Sequence, residues 1–334
     1  MRFTPKTVSF SKHASNVFFH ILTQCNLKCR HCYINKDQHG DAMLDKDQIE
    51  SVLTLFAEKS PGAQVIFLGG EPTLHPDLPF AIKKARSLGY ASITIDTNGY
   101  LFHDILSKVS PDELDFLSFS LDGATEAVND SIRGQGSYRT CLEGIQKAVS
   151  MGFSTSLIYT VSALNFHELK EMPPLLSRLG IREFFIQVIG IRGKSAESSG
   201  KNLQITRDTW LSTVPSVAER VAASGIGVTY PKVFLDKGDV FECAGCVADN
   251  YFIFPNGRVY RCPLCEDFPI HAHEIRDRAL VDTPRLNEMD FFKLTIAEGC
   301  VMNKMIQPDN LSYNEKGLPE YQIACCLLKQ RIDP

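Results

Sequence analysis

Three thiols stand close together near the start of the chain: Cys25, Cys29 and Cys32, spaced C-x3-C-x2-C in Thr23-Gln-Cys25-Asn-Leu-Lys-Cys29-Arg-His-Cys32-Tyr33. An iron–sulfur cube takes its thiolates on separate irons, and one short loop can wrap three sulfurs around three corners. The fourth iron then lacks a protein ligand, so a small molecule with an amine and a carboxylate can chelate it, much as an open position marks a catalytic zinc. The competing readings are a zinc knuckle or three buried thiols. A closed zinc site needs a fourth donor, and the loop has no fourth cysteine nearby.

A second group lies far downstream. Cys243-Ala-Gly-Cys246 is followed by Tyr251 to Pro255 and then by Asn256-Gly257-Arg-Val-Tyr-Arg-Cys262-Pro-Leu-Cys265. Asn-Gly is a hairpin turn pair, so Cys262 is expected to fold back toward the first two thiols, making a site of Cys243, Cys246, Cys262 and Cys265. The spacing C-x2-C-x15-C-x2-C also falls within the range of a structural zinc ribbon. Cys300, Cys325 or Cys326 can replace Cys265 as the fourth ligand or act as a substrate-side thiol, and His271 and His273 are further zinc donors. Cys141 lies inside a helical pattern and reads as a small buried hydrophobe.

The elements that must position the first loop alternate strictly. Short apolar runs at Val17–Leu22, Val65–Leu68, Ser92–Asp96, Phe116–Leu121, Ser156–Thr160 and Phe184–Val188 are separated by helix patterns around Asp45–Glu58, Leu78–Leu88, Tyr138–Met151 and Phe166–Leu179. Six β-then-α units imply a parallel sheet, curled into a partial (β/α)6 TIM barrel that stays open on one side. Residues 1–190 form this core in our reading. Residues 191–240 hold a small, polar linker (Gly190 to Gly200) and a helix near Asp208–Ala223, and residues 241–334 form a small cysteine-rich domain organised by metal.

The Cys25–Cys29–Cys32 loop, its place after the first strand and the trailing Tyr33 resemble the signature of the radical S-adenosylmethionine (SAM) superfamily. The resemblance implies a [4Fe-4S] cluster that passes one electron to bound SAM, yielding methionine and a 5'-deoxyadenosyl radical that abstracts hydrogen from substrate. It also implies an electron donor such as a flavodoxin or ferredoxin. Gly69-Gly70-Glu71-Pro72 resembles the GGEP motif that receives the methionine amino group. Asn98 and Ser120, with Asp122 beside them, match residues that face the ribose and amino-acid end of SAM. Arg133 resembles the arginine that pairs with the methionine carboxylate, and Ile189 would lie against adenine. Taken one by one, these residues read equally well as caps, turns or core. The segment C-x10-G-x4-C from Cys246 to Cys262 resembles the opening of SPASM and twitch domains, which bind auxiliary [4Fe-4S] clusters. The second dense cysteine set of a full SPASM domain is missing, which favours one auxiliary cluster over two, with zinc as the alternative.

The formal charge of -4 over 334 residues gives no global attraction to nucleic acid or an anionic membrane. The first apolar stretch is too short for a signal segment or a span, and eleven cysteines clustered at short spacings fit metal binding in a reducing, cytoplasmic setting. The barrel begins within the first twenty residues, which is expected to leave no room for a leader-peptide recognition domain and weighs against a peptide maturase. Asp249, Tyr251, Tyr159 and Gln187 are acid–base candidates by position only. Three functions remain open: a radical enzyme with an auxiliary cluster acting on a peptide or small metabolite, the same enzyme with a structural zinc module, and a non-catalytic metal-binding or electron-transfer protein.

Overall fold

The computed structural model describes residues 4–8, 10, 15–197 and 203–334. Its strands are β1 (Lys6–Val8), β2 (Asn16–His20), β3 (Gln64–Leu68), β4 (Ser92–Thr97), β5 (Phe116–Ser120), β6 (Thr155–Val161), β7 (Glu183–Val188), β8 (Gly227–Pro231), β9 (Asn250–Ile253), β10 (Arg258–Tyr260), β11 (His273–Arg276), β12 (Ala279–Asp282) and β13 (Lys329–Ile332). They make one sheet in the order β1-β13-β8-β7-β6-β5-β4-β3-β2-β9-β10-β11-β12. The six strands from β2 to β7 pair in parallel and in sequence, which is the partial barrel read from the alternation.

The parallel array runs further than six strands. β8 joins β7 in parallel, with Phe184 opposite Val228, and β9 joins β2 in parallel from the far side, with Phe18 opposite Phe252. β8 follows Gly225, which takes φ +81°, and buries Val228 and Tyr230. Five residues beyond the expected linker are too short a run to stand out by pattern. The cysteine-rich region therefore continues the barrel sheet, and the ring of Phe252 stacks on that of Phe18 with centroids 4.4 Å apart. The Asn256-Gly257 hairpin forms as expected: β9 and β10 are antiparallel and Gly257 takes φ +82°.

Alternation along each strand sets two faces. Val17, Phe19, Val65, Phe67, Ile93, Ile95, Leu117, Phe119, Leu157 and Tyr159 are buried in the main core with Ile49, Leu53, Phe56, Ile82 and Ile145 of the helices. The alternate residues, including Asp96, Ser118 and Ser156, share register across β4, β5 and β6 on the opposite, inner face. Asp45 caps the Lys46–Lys59 helix through a capping box with Gln48. The Phe166–Leu179 helix pattern resolves into a 3-10 turn, Phe166–Glu171, and an α-helix, Met172–Leu179, because Pro173 and Pro174 suit only a first helical turn. Arg133 is the last residue of a helix, Glu126–Arg133, capped by Thr125. Of the Gly190–Gly200 linker, residues 198–200 lie outside the described residues, as do several of the polar stretch Met1 to Ser15. Among the described residues no helix is long and apolar enough to cross a membrane.

Candidate active site

In a parallel barrel every loop after a strand emerges at the same end, where residues distant in sequence meet. The cysteine loop leaves β2 there and the Gly69-Gly70-Glu71-Pro72 turn leaves β3 beside it. A Cβ on Gly70 would lie 2.2 Å from the Gln24 carbonyl oxygen and 2.7 Å from the Cys25 Cβ, so only glycine lets the turn press against the base of Cys25. The Gly70 and Glu71 amides donate to the carbonyls of Leu22 (3.2 Å) and Gln24 (2.9 Å), stitching the two loops together. Gly69 makes the same close approach, to the Leu22 carbonyl.

Glu71 is buried, and its carboxylate accepts from the Thr73 amide (3.0 Å) and hydroxyl (2.6 Å), the Thr97 hydroxyl (2.8 Å) and the Asn98 amide (2.7 Å). Burial raises its pKa against these four donors. Its role is to brace the β3 and β4 loops. The Asn98 side chain donates to Asn26 Oδ1 at 2.8 Å and lies 3.9 Å from the Cys25 sulfur, so Asn98 reaches the cysteine loop itself.

The other side of the loop rests on Asp122. This carboxylate is fully buried, with Oδ2 2.6 Å from Arg133 Nε and 3.0 Å from His31 Nε2, and Oδ1 accepting from the Thr160 amide at 2.8 Å. Burial alone would raise its pKa, but the Arg133 guanidinium, the His31 ring and the Thr160 amide outweigh it and hold the carboxyl at about 2. Asn129 Oδ1 accepts from the Asp122 amide and Asn165 Nδ2 donates to its carbonyl. Cys29 lies with its sulfur 3.9 Å from the Arg133 carbonyl, and the Arg30 amide donates to the Ile132 carbonyl at 2.9 Å. Cys25, Cys29 and Cys32 are all at least partly accessible.

Tyr33 closes the loop. Its hydroxyl lies 2.8 Å from His20 Nε2, while His20 Nδ1 lies 3.1 Å from the Ile253 carbonyl. A carbonyl only accepts, so Nδ1 carries the proton and Nε2 accepts from tyrosine. Burial drops the His20 pKa to about 3, keeping the ring neutral. Ser120 ends β5 with its carbonyl 3.7 Å from the Cys141 sulfur, and Cys141 is buried as expected. Ile189 is buried after β7, its amide bonded to the Val161 carbonyl. Asp96 is half-buried on the inner face; burial pushes its pKa up to about 7 against a hydrogen bond from Ser118. A carboxyl that titrates near neutrality can hold or move a proton.

The second group of thiols closes differently from its spacing. Cys243 and Cys262 line a small cavity with Cys300, Cys325 and Cys326, floored by Phe292 and Met302 and flanked by Arg261. Cys246 is exposed, its sulfur 3.5 Å from the Phe292 carbonyl, and Cys265 is fully buried with its thiol against Cys262. Neither lines the cavity. The turn that carries Cys262 is pinned by Glu288, a buried carboxylate accepting from the amides of Arg261 (2.7 Å), Cys262 (3.1 Å) and Ala272 (3.0 Å). Burial lifts its pKa to about 7. His271 and His273 pair instead with Glu274 and Asp282. Among the described residues no three His, Cys, Asp or Glu side chains converge on a point that a single ion would fill.

His31, Glu288, Asn165 and Arg192 are absent from the sequence reading. His31 carries a signal in hindsight, since it sits inside the cysteine loop; the others act across long separations that no local pattern reports. Of the acid–base candidates, Tyr159 donates to the Asn165 carbonyl and Tyr251 to Asp249, while Gln187 is exposed on β7.

A three-cysteine loop at the C-terminal ends of parallel barrel strands, braced by a glycine-lined turn and a buried ion-pair network, defines an α/β barrel with a thiol-rich site at its catalytic end. A sequence model of the radical SAM superfamily matches residues 20–173, so the domain these residues form is similar in sequence to that superfamily. A protein named probable GTP 3',8-cyclase from Sulfolobus acidocaldarius is 30% identical over 164 residues, covering 48% of this chain and 52% of that protein. The pre-heme d1 synthase of Dinoroseobacter shibae is 29% identical over 207 residues, covering 61% and 50%. The chain thus spans about half the length of these curated relatives. Among solved structures, Streptococcus suis SuiB bound to precursor peptide SuiA superposes with a TM-score of 0.62 at 14% identity, covering 85% of this chain and 65% of that one. Native anSMEcpe with bound AdoMet gives 0.60 at 14% identity, covering 90% and 85%. These likenesses concern the fold.

Proposed function

We propose that this chain holds a [4Fe-4S] cluster on Cys25, Cys29 and Cys32, cleaves SAM reductively there and abstracts hydrogen from a small metabolite. The observation that carries the reading is the placement of the cysteine loop between Gly70, which touches the base of Cys25, and Asp122, which holds His31 of the same loop and Arg133. The donor set fits the group: three accessible soft thiols on one loop, with no fourth cysteine in it. When bound, the cluster and SAM supply a one-electron cleavage that releases methionine and a 5'-deoxyadenosyl radical.

The chain's own residues orient that cosubstrate. Gly69 and Gly70 present backbone to the methionine amino group, with Glu71 holding the turn rigid through its four hydrogen bonds. Arg133 turns Nε toward Asp122 as an ion pair, which leaves its other N–H groups for a methionine carboxylate. Asn98 and Ser120 flank the ribose, Ile189 supplies apolar backbone to adenine, and Asp96 is the group best placed to hold a proton inside the barrel. Tyr33 shapes the loop from below. A flavodoxin or ferredoxin delivers the electron.

We assign an auxiliary [4Fe-4S] cluster to the cavity lined by Cys243, Cys262, Cys300, Cys325 and Cys326, whose five thiols outnumber what one cube requires. The small-metabolite assignment is supported by relatives named for GTP and for pre-heme d1. The test is anaerobic reconstitution followed by reduction in the presence of SAM. Wild type should release 5'-deoxyadenosine well above a variant with alanine at positions 25, 29 and 32; equal release would refute the assignment. Iron and sulfide counting separates an auxiliary cluster from zinc.

A further inference from the structure

One guanidinium joins the two cysteine regions. The Arg192 Cζ stands 4.7 Å above the Tyr33 ring, and Nη1 donates to the Pro263 carbonyl at 2.6 Å and to Glu266 Oε2 at 2.9 Å. Tyr33 directly follows Cys32, Pro263 directly follows Cys262, and Glu266 directly follows Cys265. Arg192 therefore touches the chain one residue past a cysteine at three places, one in the first loop and two in the second region.

Its neighbours add to the join. The Lys194 amide donates to the Cys32 carbonyl at 2.9 Å, and the Gly193 amide to Asp267 Oδ2 at 2.8 Å. Gly193 takes φ +52°, and a Cβ there would lie 2.5 Å from the Cys32 oxygen, so the approach requires glycine. The Ile191 amide donates to the carbonyl of Ile306, at the end of the short helix that Cys300 caps. The segment leaving β7 is thus bound at once to the first cysteine loop and to the wall of the second cavity.

The ion pair inside this join responds sharply to displacement. Glu266 is 2% exposed, and separating a buried pair strands both charges in a medium of low polarity. A shift of the Cys262–Glu266 turn would carry both acceptors of Arg192 Nη1 with it.

We infer that Arg192 is a positioning residue through which the state of the second cysteine site sets the Cys32–Tyr33 end of the first loop and, with it, the affinity for SAM. The inference rests on the proposed radical SAM reading. A merely structural ion pair would change stability while leaving the affinity of the folded protein alone.

The test measures equilibrium SAM binding to the reconstituted full chain, together with the EPR spectrum of the reduced first cluster. Arg192→Met should weaken binding on the order of tenfold and alter the SAM-induced change in the spectrum. Cys262→Ala should weaken it by a similar factor, and the double variant should bind no worse than the weaker single, because both break one connection. Arg192→Lys, which keeps the charge without the fork, should restore part of the loss. Binding by Arg192→Met within about twofold of wild type, or losses that multiply in the double variant, would overturn the inference. If Arg192→Met fails to fold, Glu266→Gln decides in its place: a weakened affinity supports the coupling and an unchanged one overturns it. A wild type that takes up no cluster and binds no SAM overturns the radical SAM reading, and this inference with it.

Discussion

Asp122 Oδ2 lies 2.6 Å from Arg133 Nε, at the end of β5 and the end of the helix that follows it. The same oxygen lies 3.0 Å from His31 of the cysteine loop. One buried carboxylate therefore ties the loop that carries the thiols to the arginine assigned to the cosubstrate. Asp122→Asn keeps the shape and removes the charge, leaving Arg133 buried without its counterion. We expect a loss of about 3 kcal/mol of stability, read as a lower urea midpoint. An unchanged midpoint would mean that the charge is dispensable.

Gly70 is a matter of space. Gly70→Ala places a methyl group 2.2 Å from the Gln24 oxygen, so the cysteine loop or the turn must move. Iron bound per chain after reconstitution should fall by at least about half, since a misplaced ligand loop costs metal affinity on the order of tenfold or more. The control Gly62→Ala, where φ is +78° but a Cβ meets nothing within 4 Å, should cost some stability and leave iron content unchanged.

Cys300 lines the second cavity, whereas Cys141 is buried under the Ser120 carbonyl. Alanine at positions 243, 262 and 300 together leaves two thiols at the cavity and should cost about four irons, one cube, from the reconstituted protein. Cys141→Ala should cost none. Equal iron in both variants would remove the cavity as a cluster site.

His20 links acidity to stability. Burial holds its pKa at about 3, below the ordinary 6.5, so between those values the unfolded chain binds a proton that the folded chain does not. Its contribution is complete above pH 6.5 and is lost as the pH falls toward 3. His20→Gln should be destabilised at pH 7.5 through the lost contacts to Ile253 and Tyr33, and its deficit relative to wild type should shrink by pH 5. Melting temperatures of the two proteins at both pH values measure this; a deficit that stays constant would refute the linkage.

The barrel and the three-cysteine loop were legible because their signals are local. Period-two runs such as Val65–Leu68, helix caps such as Asp45 and a C-x3-C-x2-C spacing each fit within one loop or one element, and the Asn256-Gly257 turn needs only its own two residues. β8 was missed because five residues that follow a glycine turn and end in Pro231 carry too little pattern to register.

The partnerships at the site could not be read the same way. Asp122 with His31, Glu288 with the Cys262 amide, and Arg192 with Tyr33 and Glu266 are pairs whose members lie on different loops. Spacing had suggested that Cys243, Cys246, Cys262 and Cys265 face one another, but the cavity draws Cys300, Cys325 and Cys326 to Cys243 and Cys262.

The amino-acid order alone determined where the six core strands and most of their helices fall, and that the loop with three closely spaced thiols leaves the first barrel strand. Tertiary structure alone decided which thiols of the second region share a cavity, which carboxylates are buried against which cations, and that β9 closes onto β2. The division has a physical cause. Propensity, hydrophobic period and turn chemistry act over a few residues, whereas burial and Coulomb pairing depend on distances that exist only once the chain has packed.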